Sequence, residues 1–130
     1  TTTGRARRCG WFDAVVSRYS TNLNGFTSGI LTRLDVLDEM DTVKICTGYK
    51  IGGRTVDRFP ADAAALESCT PVYEELPGWK VNTSDARKAG ELPRNARRYI
   101  RRLEELIGCQ FHIISIGPRR DQSIVRKKVI

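Results

Sequence analysis

Apolar residues recur along this chain with the spacing of helices in some stretches and of strands in others. The first helical stretch carries Phe12, Val15, Val16, Tyr19 and Leu23. Asn24 and Gly25 follow as a stop signal, so we predict a helix over residues 12–24 that packs this face inward.

Two further helices are predicted. The Ala-rich stretch 60–68 is helical in pattern, with Pro60 at its start. The strongest signal covers residues 92–108, where Pro93 opens the helix and Gly108 ends it. Its apolar stripe consists of Leu92, Ala96, Tyr99 or Ile100, Leu103, Leu106 and Ile107.

Strand-like segments lie between the helices. Residues 29–32 form a short apolar run that opens the segment 29–38, and residues 43–56 alternate around the Gly52-Gly53 pair, which is typical of a β-hairpin. Strands are also predicted at 72–76 and at 111–115, the latter opening the segment 111–121. The alternation of helix and strand predicts an α/β fold, a mixed sheet with flanking helices and a hairpin, partly buried on both faces.

Length and charge limit the number of domains and the kinds of partner that this chain can have. A chain of 130 residues with 40% hydrophobic residues can bury one core, so one domain over residues 1–130 is expected. The net charge of +7 favours anionic partners: phosphate-bearing small molecules, nucleic acid or an acidic surface. No apolar run approaches the ~20 residues that span a bilayer, which favours a soluble protein. The well-separated cysteines favour a cytoplasmic location. The chain begins without methionine, and we expect it to be a piece of something longer.

Cysteine and histidine usage argues against a zinc site and a disulfide scaffold. The four cysteines are far apart without a CxxC pair, and the single histidine, His112, lies in an apolar strand. We therefore expect reduced thiols and a packing or surface role for His112.

Two strand ends offer candidate chemistry, because ligands of α/β sheets usually bind beyond the carboxyl ends of strands. In Leu31-Thr-Arg-Leu-Asp35, the carboxylate of Asp35 could accept the N1 and 2-amino hydrogens of guanine, and the planar guanidinium of Arg33 could stack on the base. A surface ion pair between Arg33 and Asp35 is the simpler alternative. Ser115-Ile-Gly-Pro118 closes another strand, and it could equally be an ordinary turn.

The residues resemble one family over essentially the whole chain. Five segments, in order, resemble the C-terminal third of adenylosuccinate synthase: TTTGRARRCGW (1–11), LTRLDVLD (31–38), PVYEELPGW (71–79), LEELIG (103–108) and SIGPRRD (115–121). The resemblance implies part of a larger P-loop-NTPase-like α/β fold. It also implies a GTP-dependent ligase that joins L-aspartate to inosine monophosphate through a 6-phosphoryl intermediate, in AMP biosynthesis.

The resemblance assigns roles to the first segment, residues 1–11, as a substrate loop. The positions implied in binding aspartate and inosine monophosphate are Thr1, Thr2, Thr3, Gly4, Arg5, Ala6 and Arg7. Arg7 is also implied to approach GTP phosphate, where a cation could offset charge that builds during phosphoryl transfer.

The resemblance also assigns two guanine contacts. Arg33, Leu34 and Asp35 match the first contact, although the family usually has lysine where this chain has Arg33. Ser115, Ile116 and Gly117 match the second, where the family commonly has threonine in place of Ile116. If backbone atoms make the second contact, that departure is tolerable.

Parts of the family's site have no counterpart here. The phosphate loop, the catalytic aspartate and histidine, and the Mg²⁺ ligands of the family match no segment of this sequence. We therefore expect these 130 residues to be inactive alone, although the full-length family is implied to be a homodimer that uses GTP with Mg²⁺.

Two other interpretations stay open. Arginines 94, 97, 98, 101 and 102, with the basic residues 126–128, could form a face that binds nucleic acid. A solvated face partly paired with Glu104 and Glu105 is favoured over it, because no aromatic platform accompanies the charge. The third interpretation is a non-catalytic structural piece of the enzyme.

Overall fold

The fold is built from two mixed sheets that share one apolar core. The computed structural model describes Gly4 and residues 9–127. The strands are β1 (Phe12–Asp13), β2 (Gly29–Leu31), β3 (Thr42–Ile51), β4 (Arg54–Val56), β5 (Thr70–Pro77), β6 (Phe111–Ser115) and β7 (Ser123–Val125). The α-helices are α1 (Ala14–Asn24), α2 (Ala63–Ser68) and α3 (Arg94–Ile107), and short 3₁₀ helices cover Leu34–Leu37 and Ala89–Glu91. The predicted mixed α/β class is confirmed, with the strands divided between two sheets.

The long strand β3 organises the first sheet. It pairs in parallel with β1 and antiparallel with β4 and β5. The hairpin predicted at 43–56 is confirmed, and both turn glycines, Gly52 and Gly53, have positive φ (53° and 81°). Turns of this kind match the twist of the strands but require left-handed residues, which explains the Gly-Gly pair.

The second sheet has the order β2-β6-β7. β2 runs parallel to β6, with Leu31 opposite Ile114, and β7 runs antiparallel to β6. Parallel pairing means that β2 and β6 end at the same edge of this sheet.

Helix α3 joins the two sheets. Five of its residues are buried: Ala96, Tyr99, Ile100, Leu103 and Ile107. They share one core cluster with Val43 and Ile45 of the first sheet and with Phe111 and Ile114 of the second. The stripe predicted from the sequence is therefore the centre of the core, and Gly108 ends the helix in the left-handed conformation (φ 70°).

Two helix predictions need correction. The first helix begins at Ala14 rather than residue 12, because Asp13 caps it by accepting bonds from the N–H groups of Val15 and Val16 at 2.9 and 3.0 Å. The prediction of its inward-facing residues was also wrong in part. Val15 is buried, whereas Tyr19 and Leu23 are 47% and 70% exposed.

The second correction concerns the Ala-rich segment. The helix α2 begins at Ala63, three residues after Pro60, and none of its residues is buried. Asp62 sets this start because its carboxylate accepts the N–H of Ala64 at 3.1 Å.

Smaller shifts occur at strand ends. The strand predicted at 72–76 extends over Thr70–Pro77, and the strand predicted at 29–32 ends at Leu31. Among the helices in the described residues, none has the length and apolar character needed to cross a membrane.

Candidate ligand site at the shared edge of β2 and β6

The parallel pairing of β2 with β6 brings the two candidate segments together. Leu31 and Ile114 are partners in the ladder, so residues 32–35 and residues 115–117 leave the sheet side by side. The 3₁₀ helix Leu34–Leu37 packs against β6. Two segments that are far apart in sequence therefore form one edge.

Arg33 turns the chain sharply from β2 into the 3₁₀ helix. Its backbone has φ 61° and ψ 42°, the left-handed region that L residues with bulky side chains rarely occupy. The next residue, Leu34, is 2% exposed and belongs to the core. Only the backbone of Leu34 can therefore face a ligand, while the Arg33 side chain is 57% exposed.

Asp35 presents a carboxylate oxygen with unused hydrogen-bonding capacity. Its side chain is 20% exposed, and the Nε of Arg33 lies 3.6 Å from Oδ1. The two side chains therefore form the ion pair that the sequence left open as the simpler alternative, at a distance too long for a hydrogen bond. Within the described part of the chain, Oδ1 is buried and receives no hydrogen bond. A buried acceptor without a donor costs about 1–3 kcal/mol, and N–H groups of a ligand at this partly exposed carboxylate would offset that cost.

The turn after β6 is held from inside by a glutamine that the sequence analysis missed. The side-chain Oε1 of Gln122 accepts the N–H of Arg119 at 3.1 Å, and the N–H of Ile116 donates to the carbonyl of Gln122 at 3.0 Å. A Cβ on Gly117 would lie 2.3 Å from Oε1 of Gln122. Glycine is thus favoured here, because a larger residue would force the end of the Gln122 side chain to move.

The other two residues of this turn, Ser115 and Ile116, have different structural roles. The hydroxyl of Ser115 donates to the carbonyl of Gly117 at 3.1 Å. Ile116 is 0% exposed and fills the core. Its side chain therefore offers nothing at the surface, so any ligand contact of Ile116 must use backbone atoms.

A second buried carboxylate, Asp38, follows at the end of the 3₁₀ helix. It is 6% exposed and accepts three kinds of donor: Nε1–H of Trp79 at 2.7 Å, N–H of Thr83 at 2.7 Å and the hydroxyl of Thr83 at 3.0 Å. Asp38 and Trp79 lie within the family-like segments 31–38 and 71–79. No sequence pattern indicated that Thr83 would bind Asp38.

An apolar groove of about 260 Å³ opens beside Arg33. The segment Cys9–Phe12 lines one part of it, and residues 31–34, 36 and 37 line another. Tyr99 also lines the groove, and burial raises the pKa of its hydroxyl to about 12, so it stays protonated at neutral pH. The groove places the end of the N-terminal segment next to the β2 edge.

Asp13 fixes the chain just beyond that groove. Its carboxylate caps α1 and also accepts the hydroxyl of Tyr49 at 2.5 Å. Burial and this hydrogen bond raise the pKa of the Tyr49 hydroxyl. Trp11 and Phe12 are therefore followed at once by a rigid anchor.

The predicted substrate loop falls mostly outside the described residues. Thr1, Thr2, Thr3, Arg5, Ala6 and Arg7 lie there. Gly4 is exposed and has φ 66°, a left-handed conformation that suits glycine.

Fewer arginines of α3 form ion pairs with Glu104 and Glu105 than the sequence indicated. Arg102 binds Glu74 and Glu105, at 2.9 and 3.1 Å, and Glu104 pairs with Arg126. Arg94, Arg97, Arg98 and Arg101 are exposed, line one surface depression, and form no ion pair with a carboxylate of the described residues. Across residues 4 and 9–127, no three His, Cys, Asp or Glu side chains are grouped so that they could hold a metal ion.

The fold and this edge define a class: a mixed α/β protein whose candidate ligand site lies beyond the carboxyl ends of two parallel strands. Comparison with known proteins identifies the family within that class. The family model for adenylosuccinate synthetase, the same enzyme family as the synthase above, matches residues 1–124. The chain belongs to the adenylosuccinate synthetase family.

Individual relatives agree with the family model. The chain is 54% identical over 126 residues to adenylosuccinate synthetase of Trichlorobacter lovleyi, covering 97% of this chain and 29% of that protein. For the Geobacter sulfurreducens protein the identity is 56% over 124 residues, covering 95% of this chain and 29% of the relative. The chain thus spans less than a third of the length of these curated relatives.

A solved structure resembles the fold closely. The fully ligated adenylosuccinate synthetase from Plasmodium falciparum superimposes with a TM-score of 0.90 at 35% sequence identity. The match covers 97% of this chain and 31% of that chain.

Proposed function

We propose that this chain is the C-terminal part of a GTP-dependent ligase that joins L-aspartate to inosine monophosphate, and that the β2 and β6 edge binds the guanine of GTP. The product is adenylosuccinate, formed through a 6-phosphoryl intermediate on the route to AMP. Family membership and the order of the five motifs support this proposal.

The observation that carries the guanine assignment is Oδ1 of Asp35, which receives no hydrogen bond from the described residues. Guanine presents two donors side by side, N1–H and the 2-amino group, which suit one carboxylate. Adenine has an acceptor at N1 and lacks the 2-amino group, so it would leave the charge of Asp35 unpaired. The exposed guanidinium of Arg33 can lie across the base, and its planar shape suits stacking.

The remaining substrate contacts rest on the family resemblance. Arg5 and Arg7 suit the carboxylates of aspartate, because a guanidinium binds a carboxylate through two parallel hydrogen bonds. The groove beside Arg33 supports a shared site, since the segment Cys9–Phe12 leads from that loop to the β2 edge. The likeness also supports a homodimer in the cytoplasm. The Mg²⁺ that the family resemblance implies is assigned no ligand among these residues.

Nucleotide binding by the wild-type chain and by Asp35→Asn tests the guanine assignment. Calorimetry with GTP and ATP should give tighter binding of GTP to the wild type, because only guanine donates to Asp35. In Asp35→Asn, the preference for GTP should fall by roughly 10-fold or more, as expected for a hydrogen bond to a charged group. Equal affinities for both nucleotides in both proteins would refute the assignment.

Asp41→Asn is the matched control. Asp41 is also an aspartate close to the 3₁₀ helix, but its side chain is 85% exposed and pairs with Lys80. This variant removes the same charge from the surface and should keep the preference for GTP. A loss of preference in both variants would point to charge in general rather than to Asp35.

Activity provides a separate test. We expect no adenylosuccinate from this chain in a coupled assay with GTP, aspartate and inosine monophosphate, because no segment of the sequence matches the family's phosphate loop. Turnover by the chain alone would contradict this expectation.

A second candidate function is binding of nucleic acid by the arginine face of α3. Its support is the four exposed arginines at 94, 97, 98 and 101, which line one depression without described acidic partners. It ranks second because the one aromatic residue of α3, Tyr99, is buried and cannot stack on bases. Binding to unrelated duplexes with a steep salt dependence, and no preference for GTP, would reverse the ranking.

A further inference from the structure

Asp38 holds the 3₁₀ helix that carries Asp35. The backbone N–H of Asp38 donates to the carbonyl of Asp35 at 3.2 Å, so the two residues close one turn. In a 3₁₀ helix, side chains three positions apart lie above one another. A rotation of this turn would therefore move both carboxylates together.

The carboxylate of Asp38 is committed entirely to the protein. Its Oδ1 accepts from Nε1–H of Trp79, and its Oδ2 accepts from the N–H of Thr83. The Thr83 hydroxyl lies 3.0 Å from both oxygens and shares its one hydrogen between them. With 6% exposure and both oxygens occupied, Asp38 has nothing to offer a ligand. Its contacts instead fasten the 3₁₀ helix to residues 79–83.

Residues 78–83 are in turn fastened to the rest of the fold. The N–H of Gly78 donates to the carbonyl of Asp41 at 2.8 Å, and its carbonyl accepts Nδ2–H of Asn95, on α3, at 2.7 Å. Trp79 is 6% exposed and packs beside Tyr99 at 6.0 Å between ring centroids. The anchor of Asp38 is thus part of the core and not a mobile loop.

Asp35 lies between two fixed points. Leu34, on one side, is buried in the core, and Asp38, on the other, is held by Trp79 and Thr83. The hydrogen bonds within a short 3₁₀ helix are weak. The orientation of Oδ1 of Asp35 is therefore fixed only if both ends of the helix Leu34–Leu37 are held by other parts of the fold. The Leu34 end alone would leave the turn free to rotate.

We infer that Asp38 is the positioning residue for Asp35: by binding Trp79 and Thr83 it fixes the turn so that Oδ1 of Asp35 meets the donors of a guanine base. This inference rests on the proposed function of Asp35. It assigns base discrimination to a residue that does not touch the ligand.

The test compares GTP with inosine triphosphate, which lacks the 2-amino group, by calorimetry under conditions where each variant is folded. The wild type should bind GTP at least roughly 10-fold more tightly, as a hydrogen bond to a charged group predicts. Asp38→Asn replaces one acceptor oxygen by an NH₂ donor, so the N–H of either Trp79 or Thr83 loses its acceptor. The turn is then released, and the GTP preference should fall several-fold. A variant that is merely less stable would lose affinity for both nucleotides equally and keep the ratio.

Two substitutions at Thr83 protect the test if Asp38→Asn does not fold. Thr83→Val removes the hydroxyl donor and should reduce the preference, whereas Thr83→Ser keeps both donors and should preserve it. Asp41→Asn again serves as the control for loss of a nearby negative charge.

The outcomes separate the two hypotheses. A wild type without preference for GTP, or an Asp35→Asn variant that keeps it, overturns the guanine assignment and the inference with it. A preference that depends on Asp35 but is unchanged in a folded Asp38→Asn, or in Thr83→Val if Asp38→Asn does not fold, overturns the positioning role alone. Loss in Asp38→Asn and Thr83→Val with retention in Thr83→Ser supports it.

Discussion

Asp35 and Asp38 are one turn apart on the same short helix, yet their surroundings are opposite. Asp38 accepts hydrogen bonds from Trp79 and Thr83 on both oxygens. Asp35 has an oxygen that receives none from the described residues, although it is buried. The same chemical group thus stabilises the fold at one position and is left incomplete at the other.

The contrast separates a structural carboxylate from a candidate ligand-binding one without reference to conservation. Desolvation of a carboxylate costs free energy at both positions. At Asp38 hydrogen-bond donors of the protein offset that cost, whereas at Asp35 the described residues offer Oδ1 only the exposed ion pair with Arg33 and no hydrogen bond. A substitution that leaves folding intact at Asp35 and damages it at Asp38 would establish this difference experimentally.

Gly78→Ala should have the largest effect. A Cβ at this position would lie 1.8 Å from the carbonyl oxygen of Met40, and backbone atoms cannot rotate away as a side chain can. The residues that hold Asp38 would be displaced, with a loss of about 4 kcal/mol or more in the free energy of unfolding, measured by urea denaturation. Gly90→Ala is the control, since apart from its chain neighbours no heavy atom of the described residues lies within 4 Å of its Cβ position. Comparable stability of the two variants would contradict the prediction.

Replacing each carboxylate by alanine tests the comparison directly. Asp38→Ala leaves the buried N–H groups of Trp79 and Thr83 without acceptors and should cost about 2–4 kcal/mol in urea denaturation. Asp35→Ala removes the desolvation cost of an oxygen without a hydrogen bond from the described residues but also loses the exposed ion pair with Arg33, so stability should change by less than about 1 kcal/mol. Equal losses in the two variants would show that Asp35 has a structural partner after all.

Gly117→Ala examines the other half of the edge. The clash is with the end of the Gln122 side chain, which can move but would then release the N–H of Arg119. We expect a loss of about 1–3 kcal/mol, as for overpacking. In a double-mutant cycle, the same substitution should cost less when Gln122 is alanine. An unchanged cost would place the strain elsewhere.

Arg33→Gly should have the smallest effect, and in the opposite direction. Glycine adopts the left-handed conformation of residue 33 without strain, so stability should rise by up to about 1 kcal/mol, although an exposed ion pair with Asp35 is lost. Arg33→Ala keeps the strain and should be the less stable of the two. If thermal unfolding gives the reverse order, the arginine side chain stabilises the turn more than its backbone conformation costs.

Most helices and strands could be predicted from the sequence because local residue patterns determine them. The stripe of α3, the Gly52-Gly53 turn and the run Phe111–Ser115 each reflect a single element, and each was confirmed. The starts of α1 and α2 were misplaced because side-chain capping by Asp13 and Asp62, not the nearby apolar residue or proline, determines where each helix begins. The exposure of Tyr19 and Leu23 was missed because helical spacing does not reveal which of two possible faces is covered.

Sequence reasoning reached the candidate site only in part. Both strand ends were selected from their chemistry and the family resemblance, but their proximity depends on the pairing of Leu31 with Ile114, which no local pattern encodes. Thr83 was missed because its partner, Asp38, is remote in sequence. Gln122 was missed because its side chain acts across a tight turn that no apolar pattern marks. The guanine contact itself stays a prediction.

The parallel pairing of β2 with β6 also has a consequence for how the molecule folds. The two strands are separated by roughly 80 residues, and closing such a long loop is entropically costly and slow compared with forming a hairpin. The edge between them cannot exist until that closure has occurred. Recovery of nucleotide binding during refolding would therefore follow long-range assembly of the chain, later than the helical signal of α3.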